Sequence, residues 1–228
     1  MVSEKEITPV RIKFSKTGDL MYISHLDLSR TMQRIIVRAG VDIWYSEGFN
    51  PQPKIVFAVP LPVGVESNCE LLDIKINSPM DHSEIAERIQ RNFPEEMKVL
   101  EVYTPTVKFK NIGYIDYTIR LYSPKIKDVS TDKIESLFKS ECKIVKKSKS
   151  GEKEINISEY VNLAEAEMKD DCLEIHAILS ADSDRYLNPE LFIEAIKQNL
   201  CIMNNGSIDE YYTISRNKML DFDLNEFR

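Results

Sequence analysis

The sequence predicts an α+β fold made of two tandem ferredoxin-like units, each with the order β-α-β-β-α-β and an antiparallel sheet. Three observations support this prediction. The 228 residues suffice for one large domain or two small ones. Short alternating or apolar segments, which are typical of strands, surround two longer segments of helical periodicity in each half. The order of these elements recurs in the second half, although the residues themselves do not repeat.

In the first half, strands are predicted from alternation, and helices from a capping residue followed by an apolar stripe. Pro60 and Pro62 interrupt the apolar segment 55–64, which we therefore expect at a sheet edge. The predicted elements are a strand at 10–16, a helix at 24–39 closed by Gly40, a short strand at 41–46, the extended segment 55–64, a strand at 69–76, a helix at 80–93 capped by Asp81, and a strand at 97–104.

The second half repeats this order after a boundary expected at 105–112, so the predicted domains are 1–104 and 105–228. The second domain contains a basic hairpin, 142–161, which is expected to turn near Ser150 and Gly151. The other predicted elements are a strand at 113–123, a helix from Ser130 or Thr131, further strand within 164–180 that turns at Asp170–Asp171, a helix at 188–200 with Asn188 as cap, and a strand at 208–220.

Composition and charge limit the classes of function. The chain is 43% hydrophobic and has no apolar run long enough to span a membrane. Because the first ten residues have no apolar signal core, we expect a cytoplasmic protein without membrane association. The net charge of −7 argues against general nucleic-acid binding, but residues 8–64 have a net charge of +3 and residues 143–153 of +4. Each basic segment can bind a polyanion locally or be an ordinary solvated surface.

The cysteines and the known motifs predict neither a metal site nor a cofactor. Cys69, Cys142, Cys172 and Cys201 lie far apart, whereas zinc and iron–sulfur sites usually include a short spacing. Separate reduced thiols are the simpler interpretation. The sequence also has no Walker loop, dinucleotide-binding glycine motif or nucleophile elbow.

The predicted helix at 24–39 has two distinct faces. Its apolar face is expected to pack on a sheet and comprises Leu28, Met32, Ile35, Ile36 and Ala39. Arg30, Arg34 and Arg38 lie on the opposite face, with Asp27 within ion-pairing reach of Arg30. The face can be a solvated surface or can bind phosphate or carboxylate groups, for which the planar guanidinium is suited.

The first turn of this helix contains a histidine that two hypotheses explain. Ser24 and Asp27 resemble a capping box at the helix start. His25 lies on the sheet-facing side, at the junction of a strand and a helix. It is a candidate catalytic general base or a structural hydrogen-bond donor.

The loop "YSEGFNPQPK" follows the short strand and contains a second candidate site. The side chains of Tyr45, Asn50, Gln52 and Lys54 can hold a base and a phosphate. Glu70, which follows another Pro/Gly turn, can approach the same rim. The structural alternative is a rigid Asn-Pro turn in which Phe49 plugs the edge of the core.

Residues 10–76 resemble the radical SAM-linked protein family, a domain of unknown function. The similarity rests on "SHLD", on the helix with its R-x3-R spacing and "RAG" end, on "YSEGFNP" followed by x-P-K, and on P-L-P-x-G-x-x-S-x-x-E. It implies a module fused to, or encoded beside, a radical SAM protein, often near ribonuclease E/G. The chain lacks the C-x3-C-x2-C cluster ligands of the radical enzyme itself.

A weaker similarity links the chain to the tandem ferredoxin-like CRISPR-repeat endoribonucleases, which can have a histidine early in the first helix. Those enzymes have a glycine-rich loop near the C-terminus, where this chain has "NNGSIDE" with one glycine.

Three hypotheses of function follow. The first is a non-catalytic module that binds RNA or another substrate and acts with a radical SAM enzyme through the arginines and the loop. The second is a metal-independent endoribonuclease or RNA-modifying enzyme, with His25 as base assisted by Tyr45 or Lys54. The third is a protein–protein adaptor whose arginines meet an acidic partner.

Overall fold

The computed structural model describes residues 7–148, 151–203 and 207–228, and this part of the chain has a mixed α+β fold with mostly antiparallel strands. The chain divides into two compact units between Phe109 and Lys110, with Arg228 counted in the first unit. Within the described part, no helix is long and apolar enough to cross a membrane.

The first unit is an antiparallel sheet with two helices. Its strands lie in the order β4-β1-β3, and β2 pairs with β3. The elements are β1 (Thr8–Lys16), α1 (His25–Arg38), β2 (Ile55–Phe57), β3 (Val65–Ile76), α2 (His82–Gln90) and β4 (Met97–Tyr103).

Of two segments of this unit predicted to be extended, one forms no regular strand and the other forms only a short one. The segment 41–46 contains only isolated bridges, from Ile43 to Ile76 and from Tyr45 to Pro53. In the segment 55–64, only β2 is a strand, because a proline has no N–H for a ladder and Pro60 and Pro62 follow closely. The strand β3 begins at Val65, four residues earlier than predicted.

The core of the first unit lies between the sheet and the two helices. The predicted apolar face of α1 is confirmed, since Leu28, Met32, Ile35, Ile36 and Ala39 are buried. They pack with alternate residues of β1 and β3 and with one face of α2, as expected of strands with one buried face. The partners are Val10, Ile12, Phe14, Leu72, Ile74, Ile76, Ile85 and Ile89.

The second unit is also an antiparallel sheet, with strand order β10-β5-β9-β8 and a separate hairpin of β6 and β7. Asn188 caps its last helix as predicted, accepting a hydrogen bond from the Glu190 N–H. The elements are β5 (Ile112–Tyr122), α3 (Thr131–Leu137), β6 (Lys143–Ser148), β7 (Gly151–Asn156), β8 (Val161–Met168), β9 (Leu173–Ser180), α4 (Pro189–Leu200) and β10 (Tyr211–Asp221).

Candidate functional site

The start of α1 uses the two residues predicted to cap it. The Ser24 hydroxyl accepts a hydrogen bond from the Asp27 N–H at 3.1 Å. The same hydroxyl donates to Asp27 Oδ2 at 2.7 Å, so the carboxylate is bound to the cap side chain. Ser24 and Asp27 therefore have a structural role at the helix terminus.

The outer face of α1 presents Arg30, Arg34 and Arg38, which we call the arginine stripe, and all three are exposed. Arg30 lies 3.8 Å from Asp27 in an ion pair whose side chains are more than half exposed, which is a weak interaction. Within the described residues, Arg34 and Arg38 form no ion pair.

The arginines of α2 differ from the arginine stripe. Arg88 pairs with Glu84 at 2.5 Å, and Arg91 pairs with Glu87 at 3.1 Å. Each of these pairs has the i, i+4 spacing that lets side chains meet on a helix surface. At the corresponding positions before Arg34 and Arg38, α1 has Arg30 and Arg34, so neither of these two arginines has an acidic residue one turn earlier on its own helix.

His25 is the first residue of α1 and lies on the same side of the helix as the apolar face. His25 is nevertheless exposed, and its ring contacts the Phe57 ring of β2 edge-on, with ring centroids 5.1 Å apart and ring planes at 76°. Within the described part, no hydrogen bond joins His25 to Tyr45 or Lys54, the two residues predicted to assist it. The contact with Phe57 is a packing role that sequence analysis did not identify.

The loop 45–54 stands on a short hydrogen-bonded stem. The Lys54 N–H donates to the Trp44 carbonyl at 3.0 Å, and the Ser46 N–H donates to the Gln52 carbonyl at 2.9 Å. The Ser46 hydroxyl also accepts from the Gln52 N–H at 3.0 Å. These bonds close the loop at its base in a short antiparallel pairing.

The prediction that Phe49 can plug the core edge is wrong. Its relative exposure is 113%, and residues 47–52 are all exposed. The side chains of Tyr45, Asn50, Gln52 and Lys54 are also exposed on this loop. The structure thus places two aromatic rings, two amides and an ammonium group on one exposed loop.

Glu70 does not lie on the rim of this loop. It is 2% exposed, on β3 at the position paired with Phe14. Two nearby side chains at the start of β3 form hydrogen bonds within the unit. Glu66 Oε1 accepts from the Gly18 N–H at 2.8 Å, which joins β3 to the segment after β1, and the Ser67 hydroxyl accepts from the Cys69 N–H at 3.3 Å.

An ion pair between a buried arginine and a partly exposed aspartate on the first sheet was not evident from the sequence. Arg11 is fully buried and donates to both carboxylate oxygens of Asp73, at 2.7 and 2.9 Å. It also donates to the Val107 carbonyl at 2.9 Å and lies 4.3 Å from the centroid of the Phe109 ring. Only the strand register, in which Arg11 pairs with Asp73, could have revealed this contact.

Two of the cations in segment 8–64 are buried and do not contribute to the charge of the surface. Lys16 is buried as well as Arg11, and its ammonium donates to the Leu20 carbonyl at 2.9 Å. Without these two, the net charge of segment 8–64 falls from +3 to +1. The exposed cations of this segment are the arginine stripe and Lys54.

Two features noted in the sequence lie outside the described residues. The first is the basic hairpin, where the turn predicted near Ser150 falls on residues 149 and 150, which the structure does not describe. The side chains at 146–148, 152 and 153 of this hairpin are not described either. The glycine of "NNGSIDE", residue 206, is also outside the described part. Within that part, no group of three or more His, Cys, Asp or Glu residues could hold a metal ion.

Fold and site together define an α+β protein with a candidate binding surface on its first unit. The chain belongs to the family described as "Uncharacterized protein conserved in bacteria (DUF2344)", whose model matches residues 10–189. The match extends through both units, and the family description names no activity. A search of curated proteins finds no match.

Solved structures resemble the chain weakly. A chain of a Cbf5-Nop10-Gar1 complex is 11% identical with a TM-score of 0.48, and the match covers 92% of this chain and 48% of that one. This chain therefore spans about half the length of that relative. An unknown protein from Galdieria sulphuraria is 5% identical with a TM-score of 0.27, and the match covers 92% and 99% of the two chains. These scores support no argument about function.

Proposed function

We propose that this protein is a non-catalytic accessory module that binds RNA through its first unit and acts with a radical SAM enzyme in the cytoplasm. The observation that supports RNA binding is the arginine stripe. It offers three exposed guanidinium groups on successive turns of one helix, and among the described residues only Arg30 of these three forms an ion pair. Guanidinium groups form paired hydrogen bonds with phosphate oxygens, and release of counterions from RNA favours such contacts.

The 45–54 loop supports the same proposal. Amide side chains can bind base edges, and aromatic rings can stack on bases. Asn50, Gln52, Tyr45 and Lys54 supply these groups on one exposed loop. Gly40 and the segment 41–43 connect the end of the arginine stripe directly to the loop stem.

The link to a radical SAM enzyme rests on the resemblance of residues 10–76 to the radical SAM-linked family. A tagged protein, purified from cells that encode both, is expected to retain a radical SAM protein identified by mass spectrometry. Retention of other proteins in its place would contradict this part of the proposal.

The RNA-binding proposal is tested by an Arg30→Ala/Arg34→Ala/Arg38→Ala variant. We expect the triple variant to bind a labelled single-stranded RNA much more weakly than the wild type at low salt, measured by fluorescence anisotropy. A matched control is Lys127→Ala/Lys133→Ala/Lys139→Ala in the second unit, which removes the same charge from exposed lysines. Equal affinities in the two variants, or no binding by the wild type, would rule the proposal out.

The endoribonuclease alternative makes a different prediction. If His25 were a general base, the wild type would cleave RNA and a His25→Ala variant would not. We expect the wild type to leave RNA intact on denaturing gels, with or without added metal ions. RNA cleavage by the wild type that disappears in His25→Ala would support the endoribonuclease hypothesis and contradict the proposal of a non-catalytic binding module.

We also infer that each unit is ferredoxin-like. In the first unit, the strand order β4-β1-β3-β2 and the helices after the first and third strands support this. In the second unit, the order β10-β5-β9-β8 supports the same topology once the hairpin of β6 and β7 is treated as an insertion after α3.

A further inference from the structure

Phe49 is the most exposed large hydrophobic side chain in the described part of the chain. An apolar ring in water is unfavourable, and a flexible loop would fold it back onto the protein surface. Here the residues on either side of it, Glu47, Gly48, Asn50 and Pro51, are exposed as well. The whole tip of the loop therefore projects into solvent.

The stem explains why the ring stays exposed. Backbone hydrogen bonds from Ser46 to Gln52 and from Lys54 to Trp44 close the loop below the tip. Pro51 and Pro53 restrict the backbone on the C-terminal side, and Gly48 adopts a φ of 123°, a region that other residues rarely occupy. These restraints limit the backbone that carries Phe49 before any ligand binds, which lowers part of the entropy cost of binding.

We propose that Phe49 is a stacking platform for an unpaired base, so that the RNA bound by this unit is single-stranded at the 45–54 loop. This inference rests on the proposed RNA-binding function and specifies its substrate class. A base in a duplex is stacked on its neighbours and cannot present its face to a protein ring. An unpaired base can stack on Phe49 while the amides of Asn50 or Gln52 bind its edge.

The surroundings of the ring favour a base over a protein partner. Protein interfaces usually surround an aromatic anchor with further apolar contacts that exclude water. The neighbours of Phe49 along the loop are instead a carboxylate, a glycine, an amide and a proline. The Phe49 ring with flanking hydrogen-bonding groups matches the size and chemistry of one nucleobase.

Binding of two probes tests the inference: a labelled oligoadenylate single strand, and a duplex of matched length. We expect Phe49→Ala to weaken binding of the single strand by about 5- to 150-fold, the range for loss of one stacked base. Phe49→Tyr, which keeps the ring, should bind like the wild type. Tyr22→Ala, which removes another exposed aromatic ring of the same unit, serves as the control and should also bind normally. The duplex should bind weakly and equally to all four proteins.

The outcomes distinguish this inference from the proposed function. If the arginine triple variant loses binding while Phe49→Ala stays within about twofold of the wild type, the stacking platform is wrong and RNA binding stands. If the wild type binds neither probe, both are wrong. If Phe49→Ala keeps its RNA affinity but no longer retains a protein that copurifies with the wild type, Phe49 is a protein anchor and the inference is overturned.

Discussion

At the scale of single residues, burial decides which charges are available for function. Arg11 belongs to the basic segment in sequence, yet it is enclosed by Asp73, the Val107 carbonyl and the Phe109 ring. Taking a guanidinium out of water is costly unless its hydrogen bonds are replaced. Asp73 replaces two of them, so this pair holds β1, β3 and the segment near Val107 together.

An Asp73→Asn variant should therefore be strongly destabilised. It removes the negative charge that Asp73 places beside the buried guanidinium, and we expect a loss of about 2–4 kcal/mol in the free energy of unfolding. Urea unfolding followed by circular dichroism measures the change. The control is Glu87→Gln, which removes an exposed pair with Arg91 and should cost less than about 1 kcal/mol. Similar losses in the two variants would show that the Arg11–Asp73 pair is not the stronger contact.

At the scale of secondary-structure elements, side chains from the helices cover strand edges. β4 pairs with β1. The Gln90 side chain of α2 binds the backbone of β4, since it accepts from the Val99 N–H at 2.7 Å and donates to the Met97 carbonyl at 3.4 Å. In the second unit, Glu135 of α3 accepts from the Ala166 N–H of β8 at 3.5 Å. An uncovered edge strand can pair with another chain.

Gln90→Leu should uncover the β4 edge. We expect a loss of about 1 kcal/mol in stability and self-association that increases with protein concentration, measured by sedimentation velocity. Gln198→Leu, which removes only an exposed contact with Glu194 within α4, is the control and should remain like the wild type. A Gln90→Leu protein that shows no self-association would contradict this role of Gln90.

Periodicity predicted the helices well, because one buried face forces apolar residues into a 3.6-residue repeat. The stripe of α1 and the caps Ser24, Asp81 and Asn188 follow from local rules that the structure confirms. The short pairings around Ile43 and Tyr45 depend on long-range register, which a local pattern does not encode. For the same reason the sequence did not reveal the burial of Arg11 and Glu70 or the exposure of Phe49.

At the scale of the whole molecule, the net charge of −7 makes general attraction to RNA unfavourable. Any affinity must therefore come from a local surface, and the arginine stripe is the candidate that the described residues offer. Because that surface has three guanidinium groups, the number of phosphates it can neutralise is small. This limits the expected dependence of RNA affinity on salt.

The salt dependence of RNA affinity tests the central claim most directly. The slope of log K against log salt for single-stranded RNA changes by about 0.7 for each phosphate contact. We therefore expect the arginine triple variant to have a slope shallower than that of the wild type by about 2, and the lysine triple variant to keep the wild-type slope. Identical slopes for the wild type and the arginine variant would show that the arginine stripe does not contact RNA.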